Sequence, residues 1–132
     1  MDLQIRIDPP LNGSRRVALG GRLDTHSFDE LDRQMEPLLD GSVHSLVLDL
    51  GALEYISSAG IRSIFKLRKA LAVHSGKVLV LNPQPQIQKV FDVVKAVPMN
   101  EIFASAEEAD AYLDAMQRKV LEGDERDDDA SY

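Results

Sequence analysis

The run Leu46-Val-Leu-Asp-Leu50, followed by Gly-Ala-Leu-Glu-Tyr-Ile-Ser-Ser-Ala-Gly-Ile-Arg62, constrains this chain more than any other segment. Ser45 to Leu50 is nearly continuous in leucine and valine, the composition of a central strand covered on both faces rather than an edge facing water. A short loop then leads to two serines, Ser57 and Ser58. Here Ile61, Ile64, Phe65, Leu67, Leu71 and Ala72 begin to recur at helical spacing. A helix start has unpaired backbone N–H groups and a partial positive charge, so it accommodates a serine side chain or, after modification, a phosphate dianion. From position alone, a serine here reads as an N-cap.

The flanking sequence supplies the partners such a strand needs. Leu3, Ile5 and Ile7 alternate with polar residues as a half-buried strand, ended by Pro9-Pro10 and the turn signal Asn12-Gly13. A hairpin with a return strand over Arg16–Gly20 is expected, then a loop over Gly21–Thr25. Phe28, Leu31, Met35, Leu38 and Leu39 form a helical stripe that stops near Asp40-Gly41. The helix after the serines carries Arg62, Lys66, Arg68 and Lys69 on its outer side and ends near Gly76. Lys77–Asn82 reads as another buried strand. Pro83 and Pro85 separate it from a third helix carrying Ile87, Val90, Phe91, Val94 and Val97, with Pro98 as its limit. Glu101–Phe103 adds a short strand. Ser105-Ala-Glu-Glu108 has capping-box spacing and opens a last helix on Ala109, Tyr112, Leu113, Met116 and Val120.

Strands alternating with helices imply an α/β fold with a mixed, mostly parallel sheet of about five strands and about four helices lying mostly on one side. A chain of 132 residues forms one domain, expected over residues 1–122. Residues 123–132 read as an acidic, disordered tail. Of the net charge of −7, Glu122–Tyr132 carries −5 through six acids and one arginine, leaving −2 on the body. Neither part looks like a phosphate-backbone binder, so no direct nucleic-acid contact is expected. No apolar run approaches the roughly 20 residues that cross a bilayer, and the N-terminus lacks a secretory pattern. The expected location is cytoplasmic, without membrane insertion. With no cysteine, sulfur ligands and thiolate nucleophiles are excluded. His26, His44 and His74 are scattered without a second ligand at metal spacing, so no metal and no cofactor is expected. No nucleophile elbow or glycine-rich phosphate loop appears, and no catalytic residue is assigned.

The strand Leu46–Leu50, the segment Tyr55-Ile-Ser-Ser-Ala-Gly-Ile-Arg62 and Gly20-Gly-Arg-Leu-Asp-Thr25 ahead of the first helix resemble the anti-sigma factor antagonist family. The fold of that family is the STAS domain, and the element order from about Leu3 to Val120 fits it. The resemblance implies a binding module controlled by phosphorylation. Unmodified, it sequesters a serine kinase that doubles as an anti-sigma factor and is related to histidine-kinase ATPases. A metal-dependent serine phosphatase restores the unmodified form. With Gly60 as the family's loop glycine, the phosphoacceptor is Ser58. Ser57 stands where many antagonists have aspartate. The implied partner surface comprises Asp24, Thr25, Ile56, Ser57, Ala59, Gly60, Ile61 and Arg62. The alternative reading is a STAS subunit fixed in a transport or signalling assembly, with no control by phosphorylation.

The physics of such a switch is simple. A neutral Ser58 open to solvent lets a partner close over the helix start and bury Ile56 and Ile61. A phosphate adds about −1.5 to −2 charges that demand water or an arginine, so docking over it is costly. On this reading, association is switched without a large shape change. Three structural roles stand beside the functional ones: Ser57 as a cap, Asp24 as a cap for the first helix, and Gly60 as a site of close backbone approach.

Overall fold

A computed structural model describes residues 2–96 and 103–123. Strand β1 (Leu3–Ile7) turns back into β2 (Ser14–Leu23), helix α1 (Phe28–Met35) follows, and β3 (Ser45–Ile56) leads into α2 (Ser58–Ala72). Then come β4 (Lys77–Leu81), α3 (Pro85–Ala96) and α4 (Ala106–Leu121). The sheet order is β1-β2-β3-β4, with β1 antiparallel to β2 and the other pairs parallel. This is the mixed α/β arrangement that the alternation implies, with four strands among the described residues. Glu101 and Ile102 of the expected fifth strand lie outside the described residues, as do Val97, Pro98 and the tail from residue 124.

The hairpin forms where Asn12 and Gly13 both take positive φ, 52° and 78°, bridging Leu11 to Ser14. Two such residues in succession match the right-handed twist of the flanking strands. The expected loop at Gly21–Thr25 is corrected. β2 continues to Leu23 because β3 is also longer than expected and pairs with it as far as Ile56.

β3 departs from the sequence reading in two ways. Leu46, Leu48 and Leu50 are fully buried while Val47 and Asp49 are only half-buried, so one face of the strand packs against the helices and the other is more open. The strand also runs through the expected loop. Its buried positions then step by three, to Leu53 and Ile56, and its register against β2 shifts twice, between Ala18 and Gly20 and between Gly21 and Arg22. At both shifts β3 has the extra residue, a bulge that bends the strand and re-aims its end.

β4 is corrected from a buried strand to the outer strand among those described. Val78 and Val80 stand beside Leu46 and Leu48, yet Leu79 is 43% exposed and Val80 and Leu81 are nearly as open. Composition cannot separate the two strands, since exposure is set by position in the sheet. α1 and α2 pack together, α2 packs on β4 and β3, and α3 packs on β3 and α4. The core gathers Leu19, Leu23, Leu31, Leu48, Ile64 and Leu113. Phe65, read from spacing as a core position, is 36% exposed on α2.

Candidate functional site

β4 pairs with β3 only from Ser45 to Asp49, so the second half of β3 has backbone groups that no strand among the described residues satisfies on that side. Glutamine side chains do so instead. Gln84 Nε2 donates to the Gly51 carbonyl at 2.9 Å, and buried Gln86 Nε2 donates to that of Glu54 at 3.0 Å. Gln117 of α4 makes both bonds of a peptide group: its Oε1 accepts from Ile56 N–H at 3.1 Å, and its Nε2 donates to the Ile56 carbonyl at 2.8 Å. A primary amide has the donor and acceptor of a backbone unit, so it can end a strand edge that would otherwise be buried unpaired.

These contacts fix the start of α2. Ser57 N–H donates to the Leu23 carbonyl at 2.9 Å, tying the loop to the end of β2. Ser57 has extended backbone and its Oγ accepts from Gly60 N–H at 3.4 Å, so it is the N-cap. Gly60 has no room for a side chain: a Cβ would lie 2.7 Å from Leu23 Cγ and 2.8 Å from the Leu23 carbonyl oxygen.

Ser58 is the first residue of α2, and its N–H donates to Asp110 Oδ1 of α4 at 2.8 Å. Its hydroxyl is not where the sequence reading put it. Ser58 is 1% exposed, and Oγ is buried with no hydrogen-bond partner among the described residues. α4 packs against α2 here, and its Asp110 holds the Ser58 N–H. Its position depends on contacts far along the chain.

Ile56 and Ile61, expected to be buried only by a partner, are already core residues at 0% and 2% exposure. Ala59 and Gly60 are also buried. Thr25 and Arg62 are exposed and Asp24 is half-buried, so the accessible part of the expected surface is a rim around the serines. Asp24 Oδ1 accepts from His26 N–H at 3.0 Å and its carbonyl accepts from Ser27 and Phe28, which is a turn-bonding role ahead of α1. Arg22 connects this turn to the serine strand. Its guanidinium stacks over Tyr55, 4.0 Å from the ring centre, while Nε lies 3.4 Å from Asp24 Oδ2. Burial, followed by the Asp114 and Asp110 carboxylates, holds the Tyr55 hydroxyl above its ordinary pKa.

Beside the serine lies a cleft of about 750 Å³, lined by Ser58, Ile61, Arg62 and Phe65 on one side and by Phe103 and Ala109 on the other. Among the described residues, no group of histidines and acids could hold a metal ion.

Sequence reasoning missed Asp110 and Gln117. Gln117 left a trace, as a polar residue between Met116 and Val120 on the apolar stripe of the last helix.

The family model described as the STAS domain matches residues 9–109. BtrV of Bordetella bronchiseptica, named as an anti-sigma factor antagonist, is 29% identical over 83 residues, covering 63% of this chain and 72% of the relative. An anti-sigma F factor antagonist of Paenibacillus polymyxa is 28% identical over 113 residues, covering 81% and 96%. The solved anti-sigma factor antagonist SpoIIAA of Bacillus, in its unphosphorylated form, superposes with a TM-score of 0.59 at 21% identity, over 67% of this chain and 82% of that one.

Proposed function

This chain belongs to the STAS domain family, and on that premise we propose that it is an anti-sigma factor antagonist whose hold on its partner is set by phosphorylation of Ser58. The role is regulatory binding, not catalysis. The partner is a serine kinase of the histidine-kinase-like ATPase type that doubles as an anti-sigma factor. It is bound when Ser58 is unmodified and released when Ser58 carries phosphate, and a metal-dependent serine phosphatase resets the state. The exposed rim of Thr25, Arg62 and the edge of Asp24 is the first point of contact. The site of action is the cytoplasm. Among the described residues, no helix is long and apolar enough to cross a membrane.

The observation that carries this reading is the construction of the serine pair. Ser57 takes the cap with its own oxygen, and the Ser58 hydroxyl has no bond to make among the described residues. A buried hydroxyl without a partner costs stability, and a role in modification gives it a reason to stay. Names support the reading as well, since both relatives are called antagonists and SpoIIAA is solved in a phosphorylated form.

One observation favours the second reading, a STAS subunit fixed in a transport or signalling assembly: a kinase cannot reach a hydroxyl that is 1% exposed. Incubation with the ATPase-type kinase and ATP, followed by intact mass, separates the two. Addition of one phosphate, lost in Ser58→Ala, supports the switch. Stable association with a transporter ATPase, indifferent to ATP and to Ser58→Ala, supports the fixed subunit.

A further inference from the structure

We propose that Arg62 is the cation that receives the phosphate of Ser58, so that modification fills the cleft beside α2, leaves the helices in place and takes a positive charge off the rim that a partner meets. The inference rests on the reading of Ser58 as the acceptor and concerns the fate of the charge it gains.

Ser58 and Arg62 are four residues apart in α2, which sets their Cβ atoms about 5–6 Å apart on one face. Helical side chains lean towards the N-terminus of their helix, so Arg62 leans over the turn that Ser58 begins. An anion four residues ahead of a cation is also the favourable order, since the negative charge then sits at the positive end of the helix dipole. Both residues line the same cleft of about 750 Å³, and Arg62 is the one ionisable side chain among its described lining residues.

Availability decides between the cations nearby. Arg22 is stacked on Tyr55 and lies 3.4 Å from Asp24, and Lys66, one turn beyond Arg62, is 3.1 Å from Asp32. Arg62 is exposed and has no ion pair among the described residues. A phosphate has no room where the buried hydroxyl lies, and turning about the Cα–Cβ bond towards the cleft gives it room. A fixed anion stands close by, since Asp110 Oδ1 takes the Ser58 N–H at 2.8 Å. A guanidinium is suited to offset that repulsion, because its parallel N–H groups match two phosphate oxygens.

The consequence for a partner has two parts. Phosphate adds about −1.5 to −2 charges and Arg62 neutralises one, so an excess of about −0.5 to −1 remains in the cleft. The unmodified rim presents Arg62 free. A partner with an acid facing Arg62 therefore loses an attraction and meets a repulsion, with no movement of α4 required.

Phosphoserine incorporated at position 58 during synthesis allows the pair to be read without a kinase. Phosphorus NMR between about pH 4 and pH 8 gives the second ionisation of the phosphate, which a nearby guanidinium lowers by favouring the dianion. Arg62→Gln is expected to raise that pKa by at least about 0.5. Arg62→Lys should give an intermediate value, because an ammonium supplies charge without the fork, and Lys66→Gln should leave it unchanged. A second arm needs no phosphate. Ser58→Asp carries one negative charge at the same position, and adding Arg62→Gln is expected to lower its melting temperature by about 2–4 °C more than the same substitution does in the wild type. An unchanged phosphate pKa in Arg62→Gln, a shift of equal size in Lys66→Gln, or an equal fall in melting temperature in the two backgrounds would each overturn the proposal. Failure of the acceptor reading would show instead as no phosphate added by the kinase, a result on which neither arm depends.

Discussion

The Ser58 N–H donates to Asp110 Oδ1 across 2.8 Å, so the first residue of α2 is held by a carboxylate 52 positions later in the chain. A cap of this kind is normally local, because a neighbouring side chain reaches the orphan amides at little entropic cost. Here the local cap is Ser57, and the second bond from α4 makes the geometry of the serine loop depend on where the last helix lies.

Loss of the strand-ending amide is the first test of that dependence. Gln117→Ala leaves the buried N–H and carbonyl of Ile56 without these bonds, a loss of about 2–4 kcal/mol. Urea denaturation followed by circular dichroism measures it. A midpoint within error of wild type would mean that water replaces the glutamine at no cost.

Substitutions at the acceptor are expected to act in opposite directions. Ser58→Ala removes a buried hydroxyl that has no partner among the described residues, and stability should hold or rise by up to about 1 kcal/mol. Ser58→Asp places a second carboxylate beside Asp110 and should cost about 2–4 kcal/mol. Differential scanning calorimetry of the pair gives the comparison, and an unchanged midpoint for Ser58→Asp would show that the site is more solvated than its burial implies.

Gly60→Ala tests the fit of α2 against β2. The added methyl meets Leu23 at 2.7 Å from Cγ and 2.8 Å from backbone oxygen, and the latter cannot swing away. Overpacking of this kind costs about 1–3 kcal/mol. Thermal melting checks it, and a neutral result would contradict the close approach.

A pH dependence follows from Asp49. The Gly51 N–H bond, then the Arg16 guanidinium at 2.6 Å, lower the pKa of its carboxyl below the ordinary value. A carboxyl with a depressed folded-state pKa stabilises the fold above its unfolded-state pKa, and that contribution disappears as pH falls through the folded-state value. Stability should therefore decline below about pH 4, and less steeply in Asp49→Asn. Denaturant midpoints measured from pH 6 to pH 2 provide the check. Parallel curves for the two proteins would remove Asp49 from the account.

Much of this was legible in the residues. The Asn12-Gly13 turn, the helical stripes and the capping serine at Ser105, whose Oγ accepts from Glu108 N–H, are local and so visible in short windows. The length of β3 was not: residues 51–56 read as a loop, and the strand continues there because two bulges keep it paired with β2. The exposure of β4 was not legible, since its valines and leucines differ from those of β3 only in having no described strand beyond them. Nor was the burial of Ser58, because Asp110 and Gln117 reach the serine loop across 52 and 61 positions and their polarity alone suggests an outer face.

The central claim is that charge at Ser58 governs partner binding, and calorimetric titration of the kinase partner tests it most directly. The unmodified chain and the chain carrying phosphoserine at position 58 are compared under one buffer and salt. The account predicts at least a hundredfold weaker binding for the phosphorylated form, about 2.7 kcal/mol. Equal affinities for the two forms would contradict it.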